Sequence, residues 1–119
     1  MAVTKTARTL QAPATNAAGA STTGSAIDLT TALGLSGTLQ ITNGSTAPTV
    51  ACTAYIDVSN DAGTTWRQWL AITAGLTAST AYTYPFSLPA EILYARARFG
   101  GNTGQGVTVE CLGHELTSV

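Results

Sequence analysis

Side chains able to do acid–base or nucleophilic chemistry are few and scattered in this 119-residue chain. Its acids are Asp28, Asp57, Asp61, Glu91, Glu110 and Glu115. A glycosidase needs two carboxyls flanking one bond, and no spacing here makes such a pair visible. Cys52 or Cys111 with His114 would be the nucleophile and base of a thiol enzyme. Strand alternation argues against it, because both cysteines fall on inward positions and His114 faces away from Cys111. Two Cys and one His are also too few for a four-ligand structural zinc site. Five Lys plus Arg form no cluster that could follow a phosphate backbone. These residues predict no enzyme, no cofactor, no metal and no nucleic-acid partner.

The most ordered local pattern is Ser59-Asn60-Asp61-Ala62-Gly63-Thr64-Thr65-Trp66. It resembles the Asp-box, Ser-x-Asp-x-Gly-x-Thr-Trp, at every specified position. The Asp61 carboxylate can cap loop amides, Gly63 can take a positive φ, and Trp66 can pack beneath the turn. In sialidase-like propellers the motif recurs once per blade, away from catalysis. One copy in a chain this short excludes a propeller, so Ser59, Asp61, Gly63, Thr65 and Trp66 are expected to fold a hairpin.

The candidate interface residues are Lys5, Arg8, Trp69, Tyr94, Arg96 and Arg98. Arg is enriched at protein interfaces, and charged residues are only 9% of this chain against roughly a quarter in an average domain. Two arginines on one strand face therefore stand out, with Glu110 as the expected cross-strand partner of Arg96 or Arg98. An exposed ion pair is worth less than about 1 kcal/mol, so stability alone does not account for them. Trp69, Tyr82, Tyr84 and Tyr94 would be the stacking platform if the domain bound a glycan.

These side chains must be placed by strands. Val50, Cys52, Ala54, Ile56 and Val58 alternate with Thr49, Thr53, Tyr55 and Asp57, the clearest strand in the chain. Leu39 and Ile41 alternate before the turn dipeptide Asn43-Gly44. Trp66, Leu70 and Ile72 are assigned one face, with Arg67 and Trp69 opposite. Tyr82, Tyr84, Phe86 and Leu88 line another strand, which Pro85 marks as an edge or a bend. Leu93, Ala95, Ala97 and Phe99 alternate with Tyr94, Arg96 and Arg98, and Val107, Val109 and Cys111 close the series. Ala32 to Leu35 is the one weak helical turn. The pattern predicts an all-β, antiparallel β-sandwich of seven to eight strands over residues 25–119. Val3 to Leu10 could pair as an edge strand, Ala12 to Gly24 carries almost nothing to bury, and residues 1–24 together are expected to be an extended arm. No signal peptide or membrane span is read, because Gln, Pro, Thr, Asn and Gly interrupt every apolar run. Free buried thiols are expected at Cys52 and Cys111.

From Tyr55 to Leu112 the order of features resembles an immunoglobulin or fibronectin type III sandwich. A strand enters the Asp-Ala-Gly turn and leaves through Trp66. Leu88-Pro89 then precedes Tyr94-Ala95-Arg96-Ala97-Arg98-Phe99, a Gly/Asn turn and a closing strand, like the Tyr-x-x-Arg strand and following hairpin of such modules. At the level of the whole chain, the Thr/Ala/Gly-rich, sparsely charged sequence resembles small virion proteins of tailed bacteriophages. Head decoration (cement) proteins are the nearest group. The resemblance implies a homo-oligomer, preferably a trimer, bound to a major capsid protein or another virion protein. Its alternatives are a tail, connector or head-fibre component, or a carbohydrate-binding module on a tail tip.

Overall fold

The computed structural model describes residues 3–118. Alternating apolar and polar residues organise them into nine strands: β1 (Thr4–Asn16), β2 (Ser21–Thr23), β3 (Ile27–Asp28), β4 (Leu35–Asn43), β5 (Thr53–Ser59), β6 (Arg67–Thr73), β7 (Ala81–Leu88), β8 (Tyr94–Gly100) and β9 (Val107–Ser118). No helix occurs among the described residues, and Ala32 to Leu35 passes through a turn directly into β4. All pairings are antiparallel, in a first sheet ordered β1-β9-β4-β7 and a second ordered β2-β8-β5-β6, with β3 also paired to β8.

The predicted sandwich therefore forms, and its connectivity is more specific than the sequence indicated. Taking β2 and β3 as two halves of one strand beside β8, the order in both sheets is that of a double-sheet jelly roll. Only β5 and β6 form a hairpin between consecutive strands within one sheet. The fibronectin-like hairpin expected after Tyr94–Phe99 is absent, because β8 and β9 lie in different sheets. Asn43-Gly44 likewise ends β4 without pairing it to the next strand.

The core fills the space between the sheets. Leu39, Ile41, Val107, Val109 and Cys111 meet Ala54, Ile56, Ala95, Ala97 and Phe99, none more than 2% exposed. Where β4 crosses β7 and β9, Gly37 lies opposite both Phe86 and Gly113. A Cβ on Gly37 would stand 2.8 Å from the Phe86 ring, so the glycine makes room for the aromatic side chain. Val50, assigned inward from its alternation, lies before β5 and is 52% exposed. Pro85 does sit on an edge strand, β7, where its missing N–H costs no ladder bond.

The expected N-terminal arm is instead built into the sandwich. β1 is the longest strand and runs along β9 as an edge of the first sheet, while β2 joins the second. Its side chains are mostly small and polar, but a strand at a sheet edge is held by its backbone, whatever its side chains. Leu10, fully buried, supplies the one large apolar anchor. Asn16, 1% exposed, donates to the Ala20 carbonyl at 3.1 Å and to Asn102 Oδ1 at 2.5 Å. Asn102 donates back to the Asn16 carbonyl at 3.2 Å, and the Thr22 hydroxyl donates to Asn16 Oδ1 at 2.7 Å. A fully partnered buried amide network fixes a unique register, and this one locks the end of β1 to the loop before β9.

Candidate interaction surface

The outer face of the second sheet carries the most organised polar cluster in the molecule. Strand pairing places Arg96 opposite Asp57 and Arg98 opposite Tyr55. Arg96 Nε donates to Asp57 Oδ2 at 3.2 Å; Arg98 Nε donates to the same oxygen at 3.0 Å, and its Nη2 to Oδ1 at 3.4 Å. Each guanidinium also lies over an aromatic ring, Arg96 at 4.4 Å from the Trp66 centroid and Arg98 at 3.9 Å from that of Tyr55. Stacking of this kind holds a cation in place while removing part of its hydration. The Asp57 side chain is only 4% exposed, beneath arginines that are 25% and 34% exposed. Its bond to Asp57 also pushes the Arg98 guanidinium further above its ordinary pKa.

The pairing of these arginines with Glu110 does not occur, because Glu110 lies on β9 in the first sheet. Asp57, on the outward face of β5 as alternation predicts, is the partner instead. Only the adjacency of β5 and β8, which no local pattern reveals, brings it under both cations. Trp66 also changes face relative to the reading from alternation. Ile56 pairs with Leu70 and Asp57 with Gln68, so Trp69 is an extra residue bulged out of β6. A bulge reverses the side-chain phase of what precedes it. Leu70 and Ile72 therefore face the core while Trp66 joins the outer cluster, and Trp69 is left 45% exposed.

The loop between β5 and β6 has the geometry its motif predicts. The Ser59 hydroxyl donates to Asp61 Oδ1 at 2.7 Å and accepts from the Gly63 amide at 2.9 Å. The Thr65 amide donates to Asp61 Oδ1 at 2.7 Å. Ala62 and Gly63 take φ of 61° and 87°, and a Cβ on Gly63 would lie 3.4 Å from the Trp66 ring. The Thr65 amide, followed by the Ser59 hydroxyl, holds the Asp61 carboxyl down at about 2. The loop thus ties the Trp66 platform to the end of β5.

The remaining interface candidates are dispersed. Tyr94 shares the outer face of β8, half-buried, whereas Lys5 and Arg8 lie on β1 in the first sheet. Arg8 Nη1 donates to both Glu115 oxygens at 3.0 Å, with side chains 28% and 11% exposed. The four-aromatic stacking platform is not assembled. Tyr82 and Tyr84 pack on the core from β7, and their hydroxyls bond the Thr77 amide and the Thr73 carbonyl. Cys52 and Cys111 are free and buried, as expected, and burial pushes their thiols up to about 11 and about 12. At neutral pH both are protonated and poor nucleophiles. Among the described residues, no group of three His, Cys, Asp or Glu side chains could hold a metal ion, and no helix is long and apolar enough to cross a membrane.

No protein-family model matches the sequence, and no curated protein matches it. Solved structures do. The chain superposes over 98% of its length on a chain in the structure of infectious bursal disease virus, Gx strain, with a TM-score of 0.62 and 18% identity. A chain in the structure of the Gt strain of the same virus gives a TM-score of 0.57 at 18% identity over 97% of this chain. At that identity the likeness establishes the sandwich fold. This chain spans about a third of each matched viral chain, 33% and 32%.

Proposed function

We propose that this protein is a non-catalytic structural component of a virus particle, and specifically a bacteriophage capsid decoration protein. The observation that carries the proposal is the near-complete superposition of its sandwich on one third of a chain in a virus structure. Jelly rolls serve widely as capsid and lectin domains. The lectin use loses its main support here, since the candidate aromatics are divided between core and surface.

In this role the protein binds a major capsid protein through a sheet face and self-associates as a trimer, so that weak contacts add through avidity. The outer face of the first sheet suits such contacts, being rich in Thr and Ser with little charge to strip of water. Residues 4–16 are committed to β9, so capsid contact falls to the sheet faces and not to a reaching arm.

The test is to express the full chain, measure its mass in solution by light scattering, and add it to capsids of the virus that encodes it. A trimer that co-sediments with capsids and adds threefold density to their images is the expected result. Rings that join tails would favour the tail or connector alternative. Absence of the protein from purified particles overturns the virion reading.

A further inference from the structure

The Arg96–Arg98 cluster has more cation than its own fold consumes. Within the cluster one buried carboxylate, Asp57, faces two guanidinium groups, which leaves one positive charge in excess there. Both Nε atoms bond to Asp57, but neither Nη atom of Arg96 has a hydrogen-bond partner among the described residues, nor does Nη1 of Arg98. Free donors on a fixed guanidinium are a ready bidentate receptor for a carboxylate. The usual entropic cost of ordering a long side chain is already met by the folded protein, because each guanidinium is stacked on an aromatic ring.

We propose that this face is a docking site for an acidic side chain of a partner protein, with Arg96 as the principal contact. Charge complementarity selects the occupant: the site offers unspent N–H donors and net positive charge to a carboxylate. Trp69, exposed on β6 on the far side of β5 from Arg96, would supply the apolar part of such a contact. A second copy of this chain is the weaker occupant. Its uncommitted mid-sheet acid, Glu110, lies on the outer face of the opposite sheet, so docking through it would build an open stack and no closed oligomer. The inference goes beyond the virion proposal and stands whether or not the protein belongs to a particle.

The full-length protein is titrated with an end-blocked Glu/Ala peptide, its Gln/Ala counterpart and inorganic sulfate, following arginine Nε–H and tryptophan indole N–H resonances by NMR. The Glu peptide should saturably shift the Arg96, Arg98 and Trp66 signals, about tenfold more tightly than the Gln peptide, and several-fold less tightly as salt rises. Arg96→Lys keeps a positive charge beside Asp57, and thus the fold, but loses the fork and the stack. It should weaken Glu-peptide binding by at least roughly fivefold while the thermal midpoint stays near that of the parent. Equal responses to the two peptides, or Arg96→Lys binding like the parent, overturn the proposal. So does tighter binding of sulfate, which would mark a free-anion site. Self-association abolished by Glu110→Gln would give the face to a second copy and also overturn it.

Discussion

Replacing Asp57 by Ala tests whether the outer face of the second sheet is organised around one buried carboxylate. The substitution removes two well-formed charge-assisted hydrogen bonds, at 3.0 and 3.2 Å, and a weaker one at 3.4 Å. Buried bonds to charged groups contribute about 1.5–3 kcal/mol each. The arginines are 25% and 34% exposed, so water can recover part of that loss, and roughly half is the appropriate discount. The expected destabilisation is then about 2–3 kcal/mol, with two unpaired cations left side by side. For a domain of this size that corresponds to a fall of about 8–12 °C in Tm.

Arg96→Gln provides the contrast. Asp57 keeps both bonds from Arg98, and the loss is one bond and one stack, about 1 kcal/mol. Urea unfolding followed by tryptophan fluorescence, with calorimetry on the same variants, measures both. The asymmetry is the content of the prediction: the central acid should cost at least twice as much as Arg96, which makes only one of its three bonds. If Asp57→Ala costs no more than Arg96→Gln, the carboxylate is not the organising group and the cations are held by their stacking alone.

Leu10→Ala should cost about 2–5 kcal/mol in the same urea experiment, the range for a fully buried leucine, whereas a detached arm would lose nothing. Gly113→Ala should destabilise more than Gly37→Ala. Its Cβ would stand 2.6 Å from the Ser36 carbonyl oxygen, a backbone atom, while the one on Gly37 meets the Phe86 ring at 2.8 Å; ranking the two Tm values checks the order. Asp61 has its pKa lowered from 3.8 to about 2. Its contribution to stability is thus present above about pH 4 and lost as pH falls toward about 2. A carboxyl NMR titration, with faster exchange of the Thr65 amide appearing over the same acid window, reports it; an Asp61 midpoint near 3.8 would contradict the loop geometry.

How far the sequence could be read depended on which part of the backbone carried the information. In β5 and β8 one face is core and the other is solvent, so alternation alone places Ala54, Ile56, Ala95, Ala97 and Phe99 inside. The Asp-box loop was equally legible, because its hydrogen bonds join residues at most four apart. An edge strand is readable from Val3 to Leu10, but not its continuation to Asn16, because small polar side chains carry no burial signal and the bonds that hold them belong to the backbone of β9. A single bulged residue, Trp69, puts Trp66 on the face opposite to the one its alternation with Leu70 and Ile72 predicts. The candidate site suffered most from missing topology. Alternation places Arg96 and Arg98 on one strand face, but the choice between Asp57 and Glu110 as their partner is a choice between sheets, and no spacing along the chain encodes it.

The sparse charge of the sequence becomes more pointed once its partners are known. Five of the eleven charged side chains, Arg8, Glu115, Asp57, Arg96 and Arg98, are committed to three internal contacts. Asp28 accepts from the Thr30 amide and hydroxyl, and Asp61 is engaged in its loop. On the outer face of the first sheet, Lys5 and Glu110 remain among Thr, Ser, Ala and Leu112. A face with so little charge costs little to desolvate, and a chain with a net charge of −1 has little like-charge repulsion to keep copies apart. The second sheet differs in character: its outer face carries the localised Arg96–Arg98 cluster, with Asp28 opposite Tyr94 at the β3 edge. Two unlike faces on opposite sides of a sandwich 18 Å through its thinnest axis suit a protein placed between two different neighbours. On that geometry, neutralising Arg96 should weaken one of those contacts and leave the other intact.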